Sequence, residues 1–289
     1  MRSKLPLVAA IVLFALPMGI LVLQSDAQRG GRDETNRFSK ESMEASEVQK
    51  KLIKQELDEL KGHPWAGAYY SGYPLGANTT LMVAPKAGFA YSLTGCLGPY
   101  DLNYGGVVEV DGKIKLVPKF PNEAKGSQSI PTELLPIVWG NRHYLIPANG
   151  VVEFTNAINA GFEPRKGIHG SILLRRGDEF LAARDQPNIP AEYSGYILKH
   201  PIKAGITSVE ESRTEGANRV TFVVLSSGSA AGVKEGMEFH LYSPLRVFDR
   251  VRVTKVEIAN SEAEIVEYSI TDKSERPSPG WKLSTRSGN

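Results

Sequence analysis

Apolar side chains recur at every second position through much of the stretch from residue 63 to residue 181. The run FAYSLT at 89–94 shows this alternation, and Asp111-Gly112 joins two further alternating runs with the residues that a tight hairpin prefers. Period-two alternation is typical of β-strands with one buried face. We therefore predict an antiparallel barrel or curled sheet over residues 63–181, with one short helix at 151–160.

Aromatic residues are concentrated at the start of this unit. Eight lie between residues 65 and 106, although aromatic residues make up only 8% of the chain: Trp65, Tyr69, Tyr70, Tyr73, Phe89, Tyr91, Tyr100 and Tyr104. Aromatic rings fill a pleated face well, and the glycines between them allow positive φ in turns. The segment therefore predicts short antiparallel strands joined by tight turns.

A second alternating region begins near residue 202. The segment before it, 182–201, is polar and contains Pro187 and Pro190, which favours a linker. Residues 202–285 hold about five alternating runs and predict a smaller barrel. The predicted fold class is thus all-β and mainly antiparallel, an aromatic-rich barrel or curled sheet with one or two helices, followed by a small C-terminal β-barrel.

A helical period precedes the first strand. Val48, Leu52, Leu57 and Leu60 recur near that period between residues 42 and 61, and Ile53 widens the apolar stripe. Residues 28–62 are therefore predicted to be a polar tether followed by an amphipathic helix. Such a helix can form a stalk or a dimerising coil, or it can pack over the barrel. The packed helix is favoured, because a coiled coil needs more heptads.

The first 27 residues have the pattern of a secretory leader. Arg2 and Lys4 precede an apolar run at 5–23, and Ser25 and Ala27 are small residues placed for cleavage after Ala27. The alternative is an uncleaved anchor, since a run of this length can span a bilayer core of roughly 30 Å. Cleavage is favoured. We expect a periplasmic or extracellular protein, anchored in the inner membrane only if the leader is retained.

Charge and cysteine content narrow the expectations further. The 34 Lys and Arg residues nearly balance the 32 Asp and Glu residues, which argues against nucleic acid as a partner. Cys96 is the only cysteine, so an internal disulfide cannot form. Stability must therefore come from burial in cores of ordinary size.

A glycine-rich run in the C-terminal region resembles a motif of small periplasmic β-barrels. The run is GSAAGVKEGMEF at 228–239, and it resembles a turn in rod-shape-determining scaffold proteins and some flagellar-assembly proteins of bacteria. Its glycines permit positive φ where a side chain would clash. The resemblance implies a fold and no activity. A PDZ domain is the alternative, but the following residues continue as strands, which favours the barrel.

The segment 65–105 carries a second resemblance. It contains W-x-G-x-Y-Y-x-G and then G-C-L-G-x-Y-D-x-N-Y-G, a pattern similar to that of an uncharacterised family of bacterial exported proteins. This resemblance implies export and no activity. Trp65 and Gly67, at the start of the first predicted strand, give a looser similarity to lipocalin-type barrels.

Common catalytic motifs are missing from the sequence. It contains no H-E-x-x-H, G-x-S-x-G, phosphate loop or C-x-x-C. The five histidines occur singly, which favours surface or hydrogen-bonded histidines over metal ligands. We therefore predict no catalytic residue, no metal and no cofactor.

The best candidate for ligand binding is the run YDLNY at 100–104. We predict a loop at the barrel mouth, where Tyr100, Asp101, Asn103 and Tyr104 could hold a sugar or peptide by stacking and hydrogen bonds. The alternative is structural, because Asp and Asn commonly brace turns.

Cys96 supplies a second candidate site. It could act as a nucleophile, with His143 or His169 as the base and Asp101 as an orienting group. A cysteine between two glycines at the end of a strand is more often a small buried hydrophobic residue, so we expect burial.

Together these patterns favour a binding or scaffold protein of the bacterial cell envelope without catalytic activity. Another envelope protein, a glycan or a peptide is the expected partner. The alternative is an envelope hydrolase that uses Cys96 or a metal-assisted site in the N-terminal domain.

Overall fold

The computed structural model describes residues 38–72, 76–122, 130–164, 172–215, 218–241, 250–268 and 276–287. The predicted leader at 1–27, most of the tether and His169 lie outside these ranges. Two closed antiparallel β-barrels make up most of the described chain, which confirms the predicted all-β class.

Eight strands follow one another around the first barrel. They are β1 (Gly67–Gly72), β2 (Asn78–Ala84), β3 (Gly88–Gly95), β4 (Gly98–Val110), β5 (Lys113–Pro118), β6 (Glu133–Trp139), β7 (Arg142–Pro147) and β8 (Leu173–Arg175). Each strand pairs with the next along the chain, and β8 closes the barrel on β1. Successive turns of such an up-and-down barrel alternate between its two ends. The turns at 96–97 and 140–141 therefore lie at opposite ends.

Side chains fill the interior of the first barrel. Tyr69, Phe89 and Tyr91 are buried there, and aliphatic residues of β2, β5, β6, β7 and β8 surround them. The aromatic segment thus forms strands, as predicted, and four of its rings, including that of Trp65, belong to the barrel core.

Helix α1 (Lys40–Glu59) lies across β2, β3 and β4. Ile53 is fully buried against the barrel, and the carboxylate of Glu56 accepts hydrogen bonds from two backbone N–H groups of the β2–β3 turn. The prediction of a packed helix is confirmed. Ile53, Leu57 and Leu60 of the predicted stripe contact the barrel, whereas Val48 and Leu52 are about half exposed.

A second apolar layer covers the outside of β6, β7 and β8. Helix α2 (Val151–Asn159) lies on this face, where Phe154 contacts Tyr144 and Trp139 edge to face, with ring centroids 5.2 and 6.1 Å away. The predicted linker at 182–201 runs over the same layer, and the indole Nε1 of Trp139 donates to one of its carbonyls (3.0 Å). None of the helices in the described ranges is both long and apolar enough to cross a membrane.

Six strands form the second, smaller barrel. They are β9 (Lys203–Glu215), β10 (Asn218–Leu225), β11 (Glu238–Leu241), β12 (Arg250–Val256), β13 (Ser261–Tyr268) and β14 (Lys282–Ser284), in the spatial order β10-β13-β12-β11-β14-β9. The predicted C-terminal barrel is confirmed, with one strand more than expected. In the turn before β11, Gly232 and Gly236 have φ of 87° and 80°, as the glycine motif predicts.

Candidate functional site

The run YDLNY at 100–104 belongs to strand β4, so the prediction of a loop is wrong. In the register of β3 with β4, Asp101 lies opposite Leu93 and Asn103 opposite Tyr91. Leu93 and Tyr91 belong to the barrel core, so Asp101 and Asn103 share that inner face, and both are buried. Burial, and next the charge of Asp101, raise the pKa of Tyr91 to about 12.

Both amide atoms of the Asn103 side chain form hydrogen bonds to the backbone. Its Oδ1 accepts from the N–H groups of Tyr104 (3.0 Å), Lys119 (3.1 Å) and Phe120 (3.2 Å). Its Nδ2 donates to the carbonyl of Phe120 (3.1 Å). Asn103 therefore ties β4 to the residues that follow β5, which agrees with the structural alternative for this side chain.

The two tyrosines of the run lie on the outer face of β4. Tyr104 packs beneath α1 and meets Phe120 edge to face, with ring centroids 5.7 Å apart. Tyr100 is partly exposed, and its ring lies so close to Gly95 that a Cβ there would collide with it. The four predicted ligand residues are thus divided between the inside and the outside of the barrel.

Cys96 is exposed, together with Leu97, at the tip of the β3–β4 hairpin. The predicted burial of this cysteine is wrong, because a two-residue turn at a barrel end has no layer above it. His143 lies next to the turn at the other end of the barrel, where its Nδ1 is 2.8 Å from Asp178 Oδ2. The structure therefore separates Cys96 from one of its two candidate bases. Among the described residues, no group of three or more His, Cys, Asp or Glu side chains is placed to hold a metal ion.

A polar cleft lies between the two barrels. Its volume is about 510 Å³, within the range of about 300–1,000 Å³ that is usual for small-molecule sites. Helix α2 and the 3₁₀ turn Ala191–Tyr196 contribute one side, and β11, β12 and the turn before β11 contribute the other. The lining residues are Asn149, Val152, Glu153, Asn156, Tyr196, Glu235, Gly236, Glu238, Arg250 and Arg252.

Asn156 of α2 joins the two sides of the cleft. Its Nδ2 donates to the carbonyl of Gly236 (2.8 Å), and its Oδ1 accepts from the N–H of Glu238 (3.2 Å). Gly236 approaches α2 so closely that a Cβ would lie 3.1 Å from Cγ1 of Val152. Asn159, almost one turn later, also uses both amide atoms at the end of the 3₁₀ turn. Its Nδ2 donates to the carbonyl of Tyr196, and its Oδ1 accepts from the N–H of Leu198. Two amide side chains thus fix helix α2 to the backbone that forms the cleft.

The charges of the cleft are arranged around Glu238, whose side chain is 8% exposed. The β11–β12 register places Glu238 opposite Arg252 and His240 opposite Arg250. A carboxylate oxygen of Glu238 lies 3.5 Å from Nη2 of Arg252, and the other lies 3.8 Å from Nη1 of Arg250. Charge-assisted hydrogen bonds are usually about 2.7–2.9 Å long. Both guanidinium groups are therefore attracted to the carboxylate without forming a short hydrogen bond to it. Their side chains are 55% (Arg250) and 61% (Arg252) exposed.

A second, smaller cavity shares Glu153, Asn156, Glu238 and Arg250 with the cleft. Its volume is about 20 Å³, which is enough for one water molecule. His240 also lines this cavity, and its Nε2 is buried with no hydrogen-bond partner among the described residues. Burial, and next the positive charge of Arg250, lower the pKa of His240. The imidazole of His240 thus faces this smaller cavity beside the cleft, and not the cleft itself.

Sequence reasoning missed this cleft. Glu238, Arg250 and Arg252 occupy ordinary polar positions of alternating strands, and Asn156 precedes Glu238 by 82 positions. The spacing of two residues between the arginines, which puts both on one face of a strand, is the single local signal that could have drawn attention to them.

Comparison with protein-family models, with curated proteins and with solved structures gives no match for this chain.

Proposed function

We propose that this chain is an exported binding or scaffold protein of the bacterial cell envelope, without catalytic activity, and that the cleft between its barrels holds its ligand. The observation that carries the proposal is the pair Arg250 and Arg252 beside the buried carboxylate of Glu238. Strands and a helix position these charges, and sites built on such elements are held more rigidly than sites on loops.

Two kinds of observation support the other parts of the proposal. The leader pattern at 1–27 supports export, and the resemblances carried by 65–105 and 228–239 support an envelope protein. The distance along the barrel between Cys96 and His143 supports binding over a hydrolase built on that pair.

Native mass spectrometry tests the proposal on the full exported protein, isolated without unfolding from the compartment that receives it. We expect a mass above that of the polypeptide, and we expect the excess to disappear on denaturation. The Arg252→Gln variant should lose the excess mass while it keeps the melting temperature of the wild type within a few degrees.

Lys255→Gln is the matched control, because Lys255 also lies on β12 but does not line the cleft. This variant should keep the excess mass. A wild-type protein without bound mass, or an Arg252→Gln variant that retains it, would contradict the proposal.

A further inference from the structure

We propose that the cleft takes a small zwitterion, an amino acid or short peptide, whose carboxylate is bound by Arg250 and Arg252 and whose ammonium group is bound by Glu153 and Glu235. This inference rests on the proposed function and names the chemical class of its ligand.

The two arginines form the carboxylate half of the site. They are two residues apart on β12 and therefore project from the same face of the strand. Glu238 draws both toward one point, at distances longer than a hydrogen bond to a carboxylate, and leaves more than half of each side chain exposed. A planar carboxylate can therefore accept two parallel N–H bonds from a guanidinium group that is already oriented.

The two other glutamates of the cleft form the ammonium half. Glu153 comes from the first turn of α2, on the first-barrel side, and Glu235 comes from the turn before β11. Glu235 and Tyr196 of the 3₁₀ turn line the same cleft. Burial, and next the charge of Glu235, raise the pKa of Tyr196. A cation entering the cleft thus meets negative charge from both barrels.

The presence of both positive and negative side chains in the cleft disfavours other classes of ligand. Three glutamates and two arginines line the same space, so a polyanion such as a nucleic acid or polyphosphate would meet repulsion from Glu153 and Glu235. A simple cation would make no use of the exposed N–H groups of the two arginines. A molecule with one carboxylate and one amine satisfies both halves, and the exposed amide of Asn149 can pair with a peptide group between them.

Isothermal titration of the full exported protein with three dipeptide probes tests the inference. Ala-Ala carries both charges, N-acetyl-Ala-Ala carries only the carboxylate, and Ala-Ala-amide carries only the ammonium group. We expect Ala-Ala to bind, and we expect each blocked probe to bind about tenfold more weakly or worse, because each loses one charge-assisted pair.

Two single variants separate the halves of the site. Arg252→Gln should weaken Ala-Ala binding about tenfold and remove the preference for Ala-Ala over Ala-Ala-amide. Glu153→Gln should remove the preference for Ala-Ala over N-acetyl-Ala-Ala. Lys255→Gln is the control outside the cleft, and its binding should match that of the wild type. Circular dichroism and the melting temperature of each variant establish that it is folded.

Equal affinity for Ala-Ala and for either blocked probe would overturn the inference, as would unchanged binding in Arg252→Gln. If none of the three probes binds, the native mass distinguishes the two proposals. Bound mass that depends on Arg252 would then overturn the zwitterion and leave the proposed function standing. A clean native mass together with no probe binding would overturn both.

Discussion

The amide of Asn103 makes four hydrogen bonds at once, and all of them go to backbone groups of β4 or of the residues just after β5. Its carbonyl oxygen has no lone pair left for a ligand, and its amide nitrogen already uses one of its two N–H groups. These hydrogen bonds tie β4 to the residues that directly follow β5.

Asn103→Ala should therefore lower the free energy of unfolding by about 1–3 kcal/mol, because three N–H groups lose an acceptor. Urea unfolding measures the change. Asn149→Ala is the matched control, since Asn149 is exposed and caps no helix, and its effect should stay within about 0.5 kcal/mol. Equal losses in the two variants would contradict a bracing role for Asn103.

His240 gives the protein a pH dependence of definite sign. Burial and Arg250 lower its pKa below the usual 6.5, so the folded protein holds this proton less tightly than the unfolded chain does. Below pH 6.5 the unfolded state binds more protons, and this residue therefore reduces the free energy of unfolding as the pH falls from 7 to 5.

The variant His240→Gln should lose less stability than the wild type over that interval. Urea unfolding at pH 7, 6 and 5 measures the two slopes, and His200→Gln, which removes an exposed histidine, is the control. Identical slopes for the wild type and His240→Gln would show that the buried imidazole does not contribute.

Among the elements, strand β4 shows where local sequence signals fail. Asp and Asn are depleted in strands and favoured in turns, and glycines at 98 and 105 bound the run YDLNY, so a loop is the local prediction. Pairing with β3 on one side and β5 on the other keeps all 13 residues of β4 extended and overrides that preference.

Other elements were predictable because their signals are local. The alternation at 89–94 became β3, and Asp111-Gly112 became a hairpin turn with φ of 52° and 71°, both positive as a type I′ turn requires. The cleft was beyond such reasoning, since it depends on the register of β11 with β12 and on a helix 82 positions away.

Helix α1 offers a matched pair of variants that tests which face is buried. Ile53→Ala should lower the free energy of unfolding by about 2–5 kcal/mol, because it leaves a cavity between the helix and the barrel. Val48→Ala, on the exposed side of the same helix, should change it by about 0.5 kcal/mol or less. Urea unfolding measures both. A larger effect at Val48 than at Ile53 would mean that the Val48 face of the helix, and not the Ile53 face, lies on the barrel.

For the whole molecule, α2 is an element that contacts both barrels, as does the 3₁₀ turn Ala191–Tyr196. Its apolar side packs on the first barrel through Phe154, and its polar side binds the second through Asn156. The cleft lies where this helix and the 3₁₀ turn meet the second barrel.

Asn156→Ala should loosen that junction while each barrel stays folded. The N–H of Glu238 loses its acceptor, so its hydrogen exchange should become faster, while amides in the middle of β10 should keep their rates. Exchange measured by mass spectrometry or NMR follows both sites, with Asn149→Ala as the control. Unchanged exchange at Glu238 would mean that Asn156 does not hold the barrels together.

Closure of both sheets has a further consequence for how this protein meets others. Among the strands that the structure describes, each has a neighbour on both sides, so neither barrel presents a strand whose whole edge is open to another chain. Closure thus disfavours a partner that adds a strand of its own, which is a common mode of peptide recognition. Recognition through side chains, turns and helices is favoured instead, and the same closure limits the edge-to-edge contacts through which β proteins aggregate.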